Sequence, residues 1–344
     1  MNQFTALSAE ERAIYIHEAA ERLNVSSVIV EKDFWVCWML ERLFENPELR
    51  PHLVFKGGTS LSKVFGAIQR FSEDIDLSIS PRLLGRDDAF LEDAATRTQQ
   101  RKRMAEIEAL CAAAVEGRLQ PILETATRRV LGEPGDGRSW LCYELDGATR
   151  SPVLLFFYPA AIDGRGGYIP QTVKIEFGSL TDQQPTGAHR IRPLLANVIP
   201  GKFEDFASEV VALEVERTFW EKATILHAEY HRPAGQPLRD RFARHYADFA
   251  ALWQHPACTK ALERFDLLER VVIHKSRFFA SSWAAYDLAR PGTFRLCPPD
   301  ARIPELERDY TKMKGMFLDV PMAFREIIDT LHSAEKVLNA HQES

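Results

Sequence analysis

Two short segments restrict what this chain can fold into. Residues 55–63 read Phe-Lys-Gly-Gly-Thr-Ser-Leu-Ser-Lys, and residues 70–79 read Arg-Phe-Ser-Glu-Asp-Ile-Asp-Leu-Ser-Ile. The first predicts an apolar strand (Leu53, Val54, Phe55) that runs through a glycine turn into a helix. Gly57 and Gly58 have no Cβ, so positive φ costs little and a ligand can approach the backbone closely. Thr59 or Ser60 is expected to cap the helix. Free N–H groups at a helix start behind two glycines are a natural seat for phosphate. The second segment has the period of a strand: Ile75, Leu77 and Ile79 face one way, and Asp74, Asp76 and Ser78 the other. Two carboxylates side by side repel and raise each other's pKa unless something neutralises them. Mg²⁺ suits such a pair, because it takes one or two protein carboxylates and completes its octahedron with water and phosphate oxygens. The pair of segments therefore reads as a phosphate cradle beside a metal platform.

The rest of the composition bounds this reading. The chain has 344 residues, 45% of them hydrophobic and 27% charged, which suits one or two globular domains with a substantial core. A net charge of −6 gives no global attraction to nucleic acid, so such a partner would need a local basic patch. The five cysteines (Cys37, Cys111, Cys142, Cys258, Cys297) are scattered and lack any Cys-x-x-Cys, which argues against a disulfide framework or a zinc knuckle. The N-terminus lacks a basic start followed by an apolar run, and no stretch approaches a membrane span, so a reduced cytoplasmic protein is expected.

Ser8-Ala-Glu-Glu11 is a capping box, and helix is expected from Ser8 to about Asn46 with a break at residues 24–27. The charge-dense segment Glu31-Lys-Asp-Phe-Trp35 allows Lys32 or Asp33 to lean toward the phosphate cradle. Residues 82–130 read as charged and mostly helical, with helix-favouring runs at 91–99 and 102–119. The basic clusters at 101–103 and 128–129 read as solvated helix faces. Three strands follow, at 140–145, 153–158 and 172–177. In the last, Val173, Ile175 and Phe177 face the core, which leaves Lys174 and Glu176 on the other side, where Glu176 can lie beside Asp74 and Asp76. From residue 200 the pattern turns helical. Residues 217–232 read as one helix, with Phe219, Trp220, Ala223, Ile225 and Leu226 buried and Arg217, Lys222 and Glu229 elsewhere. Residues 1–50 are thus expected as N-terminal helices, 51–200 as the core domain and 201–344 as a helical domain.

Other motifs are weaker. Phe55-Lys-Gly-Gly-Thr-Ser lacks the glycine spacing of a Walker A loop. His227 and His231 stand one helical turn apart, but Glu229 is misplaced for His-Glu-x-x-His.

Five motifs in order do resemble a known family. Glu-Lys-Asp-Phe-Trp, Lys-Gly-Gly-Thr-Ser-Leu, Arg-Phe-Ser-x-Asp-Ile-Asp-Leu, a strand carboxylate, and Arg-Thr-x-x-Glu-Lys-x-x-x-Leu-His with an Arg-His-Tyr-x-Asp tail are similar to the AbiEii/AbiGii nucleotidyltransferase toxins. That family includes the MenT toxins and belongs to the polymerase-β-type nucleotidyltransferase superfamily. The resemblance covers roughly residues 28–250. It implies an α+β fold, with a mixed β-sheet flanked by helices and then a mainly helical C-terminal domain. It implies a cytoplasmic enzyme that moves NMP from an NTP to an acceptor hydroxyl with Mg²⁺, as the toxin of a toxin–antitoxin or phage-defence system. Gly57, Gly58, Thr59 and Ser60 would hold the triphosphate, with Lys56 and Arg70 as further contacts, and Asp74 and Asp76 would bind Mg²⁺. Glu176 would stand where the superfamily usually has a third aspartate, as general base or as a further metal ligand. Lys222 would neutralise phosphate charge and Asp248 would position substrate or nucleotide. Ser72 matches a Ser/Thr that an antitoxin kinase can phosphorylate in related systems; a phosphate there would repel the nucleotide. The implied acceptor is RNA, the 3′ end of tRNA, with Arg239, Arg241 and Arg244 as candidates for its backbone.

Two other readings fit the same residues. One is nucleotidyl transfer to a protein or small molecule, marked by labelling that ignores salt and spares RNA. The other is a nucleotide-binding module without catalysis, marked by binding of NTP and Mg²⁺ with no pyrophosphate released.

Overall fold

The computed structural model describes residues 1–135, 137–164, 169–199, 203 and 206–341. The chain folds as two compact units. One is Met1–Val64 with Ser72–Leu213, and the other is Phe65–Phe71 with Glu214–Ser344. The expected 200/201 boundary lies outside the described residues.

The first unit begins with helices α1 (Asn2–Thr5), α2 (Ala9–Leu23) and α3 (Ser27–Glu45). The capping box forms as expected: Ser8 Oγ accepts from Glu11 N at 3.2 Å, and Glu11 Oε2 accepts from Ser8 N at 2.9 Å. Asn24 ends α2 in the left-handed region at φ 54°, which a short polar side chain tolerates. Next come β1 (Leu53–Lys56), α4 (Gly57–Lys63), β2 (Asp74–Ile79), α5 (Arg97–Ala114) and α6 (Gln120–Leu131). Then follow β3 (Leu141–Leu145), β4 (Pro152–Phe156), β5 (Val173–Gly178), β6 (Thr186–Ile191), α7 (Leu194–Val198) and β7 (Ser208–Leu213). The strands make one seven-stranded mixed sheet in the order β3-β4-β5-β2-β1-β7-β6. β2 runs antiparallel to β1 and parallel to β5, so the acidic strand sits in the middle of the sheet. α3 packs across it, with Trp35 stacked on Tyr158 and Trp38 on Phe156, each pair of ring centroids 5.6 Å apart.

The second unit contains α8 (Val215–Tyr230), α9 (Ala243–Gln254), α10 (Ala257–Leu262), α11 (Phe265–Phe278), α12 (Ile303–Lys312) and α13 (Phe324–Ala340). The segment before β2 belongs here: Phe71 N donates to Met316 O at 2.7 Å, and Leu318 N donates to Gln69 O at 3.0 Å. Among the described residues, no helix is long and apolar enough to cross a membrane.

Three local expectations differ from the structure. Residues 91–96 are turns and loop, and the helix starts only at Arg97, where Thr96 Oγ1 accepts from Gln99 N. The change to helix comes at Val215, because Ser208–Leu213 pairs into the sheet as β7. Arg217, Lys222 and Glu229 are buried, since α8 packs against α9, α10 and α11, whereas Ile225, expected in the core, is half-buried.

Candidate functional site

In the first unit the glycine turn and the acidic strand are neighbours. Lys56 pairs with Asp76 across β1 and β2, and Asp76 pairs with Glu176 across β2 and β5. Paired residues share a face, and adjacent strands lie about 4.8 Å apart. Lys56, Asp74, Asp76, Lys174 and Glu176 therefore line one face, while Ile75, Leu77, Val173, Ile175 and Phe177 are buried on the other. Gly57 takes φ +81°, and a Cβ there would stand 2.0 Å from Asp76 Oδ2. Glycine is thus needed both for the backbone angle and for the space that the Asp76 carboxylate fills.

The expected caps are not caps. α4 begins at Gly57 with Lys56 as its N-cap residue, which places Thr59 and Ser60 inside the helix. Thr59 Oγ1 donates to the Asp74 carbonyl and ties α4 to β2, and Ser60 Oγ donates to Gly57 O at 2.9 Å. Lys32 and Asp33 are anchors within the unit. Lys32 Nζ donates to Glu73 Oε2 at 2.8 Å and to Pro170 O at 2.9 Å. Asp33 pairs with Lys63 and accepts from Leu194 N at 2.6 Å.

The acidic face is short of positive charge. Burial pushes the Asp74 carboxyl up to about 6, and Glu73, Asp76 and Glu176 push the same way against Lys174. Lys174 Nζ lies 2.5 Å from Glu176 Oε1 and 2.7 Å from Asp146 Oδ2. Asp146 was not legible as a partner: Asp-Gly signals a turn, and only the β3–β4 hairpin brings it to β5. Among the described residues, no three of His, Cys, Asp and Glu form a ready metal cage. Asp74 and Asp76 still fit a hard cation such as Mg²⁺, which needs only one or two carboxylates when phosphates and water supply the rest. Ser72 is half-buried, two residues before Asp74.

The second unit holds a different cluster. Asp248 accepts from Arg70 Nε at 2.7 Å and Arg70 Nη2 at 2.9 Å, and from Lys222 Nζ at 2.7 Å. All three residues are buried. Burial by itself would raise the Asp248 carboxyl, but Arg70 and Lys222 outweigh it and hold the group well below the carboxylate range. Lys222 Nζ also lies 3.2 Å from His245 Nδ1. Burial, Lys222 and Arg244 push His245 well below its usual range, so the neutral ring accepts from the ammonium. Arg239 is exposed, whereas Arg241 and Arg244 are half-buried. His227 is engaged at both ring nitrogens, Nε2 donating to Ala285 O at 2.9 Å and Nδ1 accepting from Arg295 N at 3.1 Å.

A glycine turn packed on a carboxylate strand in the middle of a mixed sheet, with helices before and after, makes this an α+β protein. The chain matches the family model described as "Nucleotidyl transferase AbiEii toxin, Type IV TA system" over residues 38–331, and it belongs to that family. It is accordingly a nucleotidyltransferase, the toxin type of a type IV toxin–antitoxin system. Among solved structures, the chain is similar to "MenT4, nucleotidyltransferase toxin Rv2826c from Mycobacterium tuberculosis H37Rv", at 15% identity and a TM-score of 0.42, over 97% of this chain and 100% of that one. No curated protein matches the chain.

Proposed function

We propose that the protein transfers a nucleoside monophosphate from an NTP to an acceptor hydroxyl in a Mg²⁺-dependent reaction, in which the α–β phosphoanhydride bond breaks and pyrophosphate leaves, and that the acceptor is RNA, at the 3′ end of tRNA. The observation that carries this reading is the register of Asp76 against both Lys56 and Glu176, with Gly57 leaving room for the Asp76 carboxylate. Asp74 and Asp76 would hold the metal. The chemistry a bound Mg²⁺ supplies is neutralisation of polyphosphate charge and a more electrophilic α-phosphorus. Glu176 orients the acceptor hydroxyl and takes its proton. Gly57 and Gly58 let the phosphates approach the backbone, and Lys56 adds a cation on the same face. α4 has seven residues, so the turn contributes more than the helix dipole. Thr59 and Ser60, with hydroxyls bonded to backbone, shape that turn. Asp248 acts on Lys222, holding its ammonium in place, and Arg70 completes that ion cluster.

Family membership also supports a cognate antitoxin as a partner. Ser72 is the proposed point of control, because a phosphate two residues from Asp74 adds charge to a face already rich in it. Arg239, Arg241 and Arg244 are proposed as RNA-backbone contacts, and the reaction should then weaken steeply with salt.

The test incubates the protein with Mg²⁺, each α-labelled NTP and total RNA. Label on tRNA that disappears in Asp76→Ala is the expected result. Label on protein at any salt concentration would move the acceptor to a polypeptide, and wild-type turnover by Asp76→Ala would remove the metal role.

A further inference from the structure

The acidic face carries one cation whose position suits a function in the metal's absence. Lys174 lies on β5 opposite Asp74, and its Nζ bridges Glu176 Oε1 and Asp146 Oδ2. The two carboxylates it joins are held differently. Asp146 sits in the β3–β4 turn, where Oδ1 accepts from Ala148 N at 2.9 Å, Thr149 N at 2.8 Å and Thr149 Oγ1 at 3.0 Å. Those bonds fix Asp146 and leave Oδ2 for Lys174. Glu176 lies on the strand face next to Asp76 and takes Lys174 from the other side. Lys174, Asp146 and Glu176 are each partly exposed, with side-chain accessibilities of 26%, 18% and 28%. A lysine's four-carbon stem can swing at such a site without opening the core.

We propose that Lys174 is the resident counter-ion of Glu176: anchored on Asp146, it neutralises the third carboxylate until a divalent cation arrives, and so sets the affinity of the face for that cation. This rests on the reading of Asp74 and Asp76 as the metal platform. When the cation binds, Lys174 keeps its bond to Asp146 and releases Glu176, which then becomes free to act on the acceptor hydroxyl. Lys174 is a positioning residue here, since it acts through Glu176. Its ammonium competes with the incoming cation, and removing it should make cation binding tighter.

The experiment titrates Mn²⁺, a spectroscopic substitute for Mg²⁺, into the full chain without nucleotide and reads free Mn²⁺ by electron paramagnetic resonance. Lys174→Met should bind Mn²⁺ about fivefold tighter or more at low salt, the weight of two unit charges about 4 Å apart in bulk water, which a divalent ion doubles at equal distance. Lys174→Arg keeps the charge and should match wild type. Adding Glu176→Gln to Lys174→Met should erase the gain. Unchanged or weaker binding in Lys174→Met, or a gain that survives Glu176→Gln, overturns the proposal. A separate arm tests the platform: if wild type binds Mn²⁺ and Asp76→Asn binds it equally well, the metal reading itself fails. If Asp76→Asn weakens binding while Lys174→Met leaves it unchanged, only the counter-ion role falls.

Discussion

The acidic face of the first unit and the ion cluster of the second differ in how completely their charges are matched. Asp74, Asp76 and Glu176 share one face with a single bridging lysine that is already divided between Glu176 and Asp146, and the Asp74 carboxyl rises to about 6. Asp248 is buried between Arg70 and Lys222 and lies far below the carboxylate range. The like charges of the first arrangement repel, which a bound cation would relieve. The second has its anion satisfied by two cations, and losing that anion leaves buried positive charge without it. On the proposed reading one cluster is poised for a ligand, whereas the other fixes side chains in place.

The largest expected effect follows from removing the anion of the satisfied cluster. Asp248→Ala removes the carboxylate that Arg70 and Lys222 both bond in the interior, which should cost about 3–5 kcal/mol. Denaturant unfolding checks this. Adding Lys222→Met should recover part of the loss, because one stranded cation is then gone. A loss below about 1 kcal/mol would mean that the cluster is looser than its hydrogen bonds indicate and would erase the contrast.

Acid should separate the two regions further. His227 is buried and neutral, and burial lowers its pKa from 6.5 to about 4. Above pH 6.5 neither folded nor unfolded chain protonates it, so there is no penalty. As pH falls toward 4 the unfolded chain takes a proton that the folded chain refuses, and about 3 kcal/mol of stability is lost. Hydrogen exchange of α8 amides at pH 7 and pH 4.5 reads the change. His227→Gln should flatten it, since an amide can still donate to Ala285 O and accept from Arg295 N.

The same contrast explains what could be read in advance. β2 and β5 were legible because alternation is local: Ile75, Leu77, Val173 and Ile175 announce the buried face, which puts Asp74, Asp76 and Glu176 on the other. The capping box at Ser8 is likewise local. Burial of Arg217, Lys222 and Glu229 was not legible, because a helix packed against α9, α10 and α11 no longer separates polar from apolar residues by periodicity. The helix start at Gly57 was hidden too: residues 59 and 60 look like caps until the positive φ of Gly57 turns the chain two residues earlier. Asp146 and Glu73 acquire their roles only through partners 28 and 41 residues away, Lys174 and Lys32, and no spacing rule reaches that far.

A smaller effect on stability, with a large one on the site, is expected for Gly57→Ala. The left-handed backbone costs about 1–2 kcal/mol for a residue with a Cβ. The added carbon also meets Asp76 Oδ2 at 2.0 Å and its Cγ at 2.8 Å, so the carboxylate must leave its rotamer. Transfer by Gly57→Ala should fall nearly as far as in Asp76→Ala. Near wild-type transfer would show that the Asp76 carboxylate need not stay where the glycine leaves room for it.

The smallest stability change should come from Asp76→Ala, and its smallness is the sharpest check on the comparison. Asp76 is half-buried, and its neighbours Asp74 and Glu176 repel it. Deleting it removes repulsion as well as solvation, so unfolding should shift by no more than about 0.5 kcal/mol, in either direction. Transfer should meanwhile fall by at least about a hundredfold, the usual scale for losing one charge-stabilising group. The metal dependence of unfolding separates the two causes: wild type should gain stability as Mg²⁺ is added, and Asp76→Ala should gain much less. If Asp76→Ala unfolds as readily as Asp248→Ala, the acidic face is structural like the cluster of the second unit, and the division between a poised region and a satisfied one does not hold.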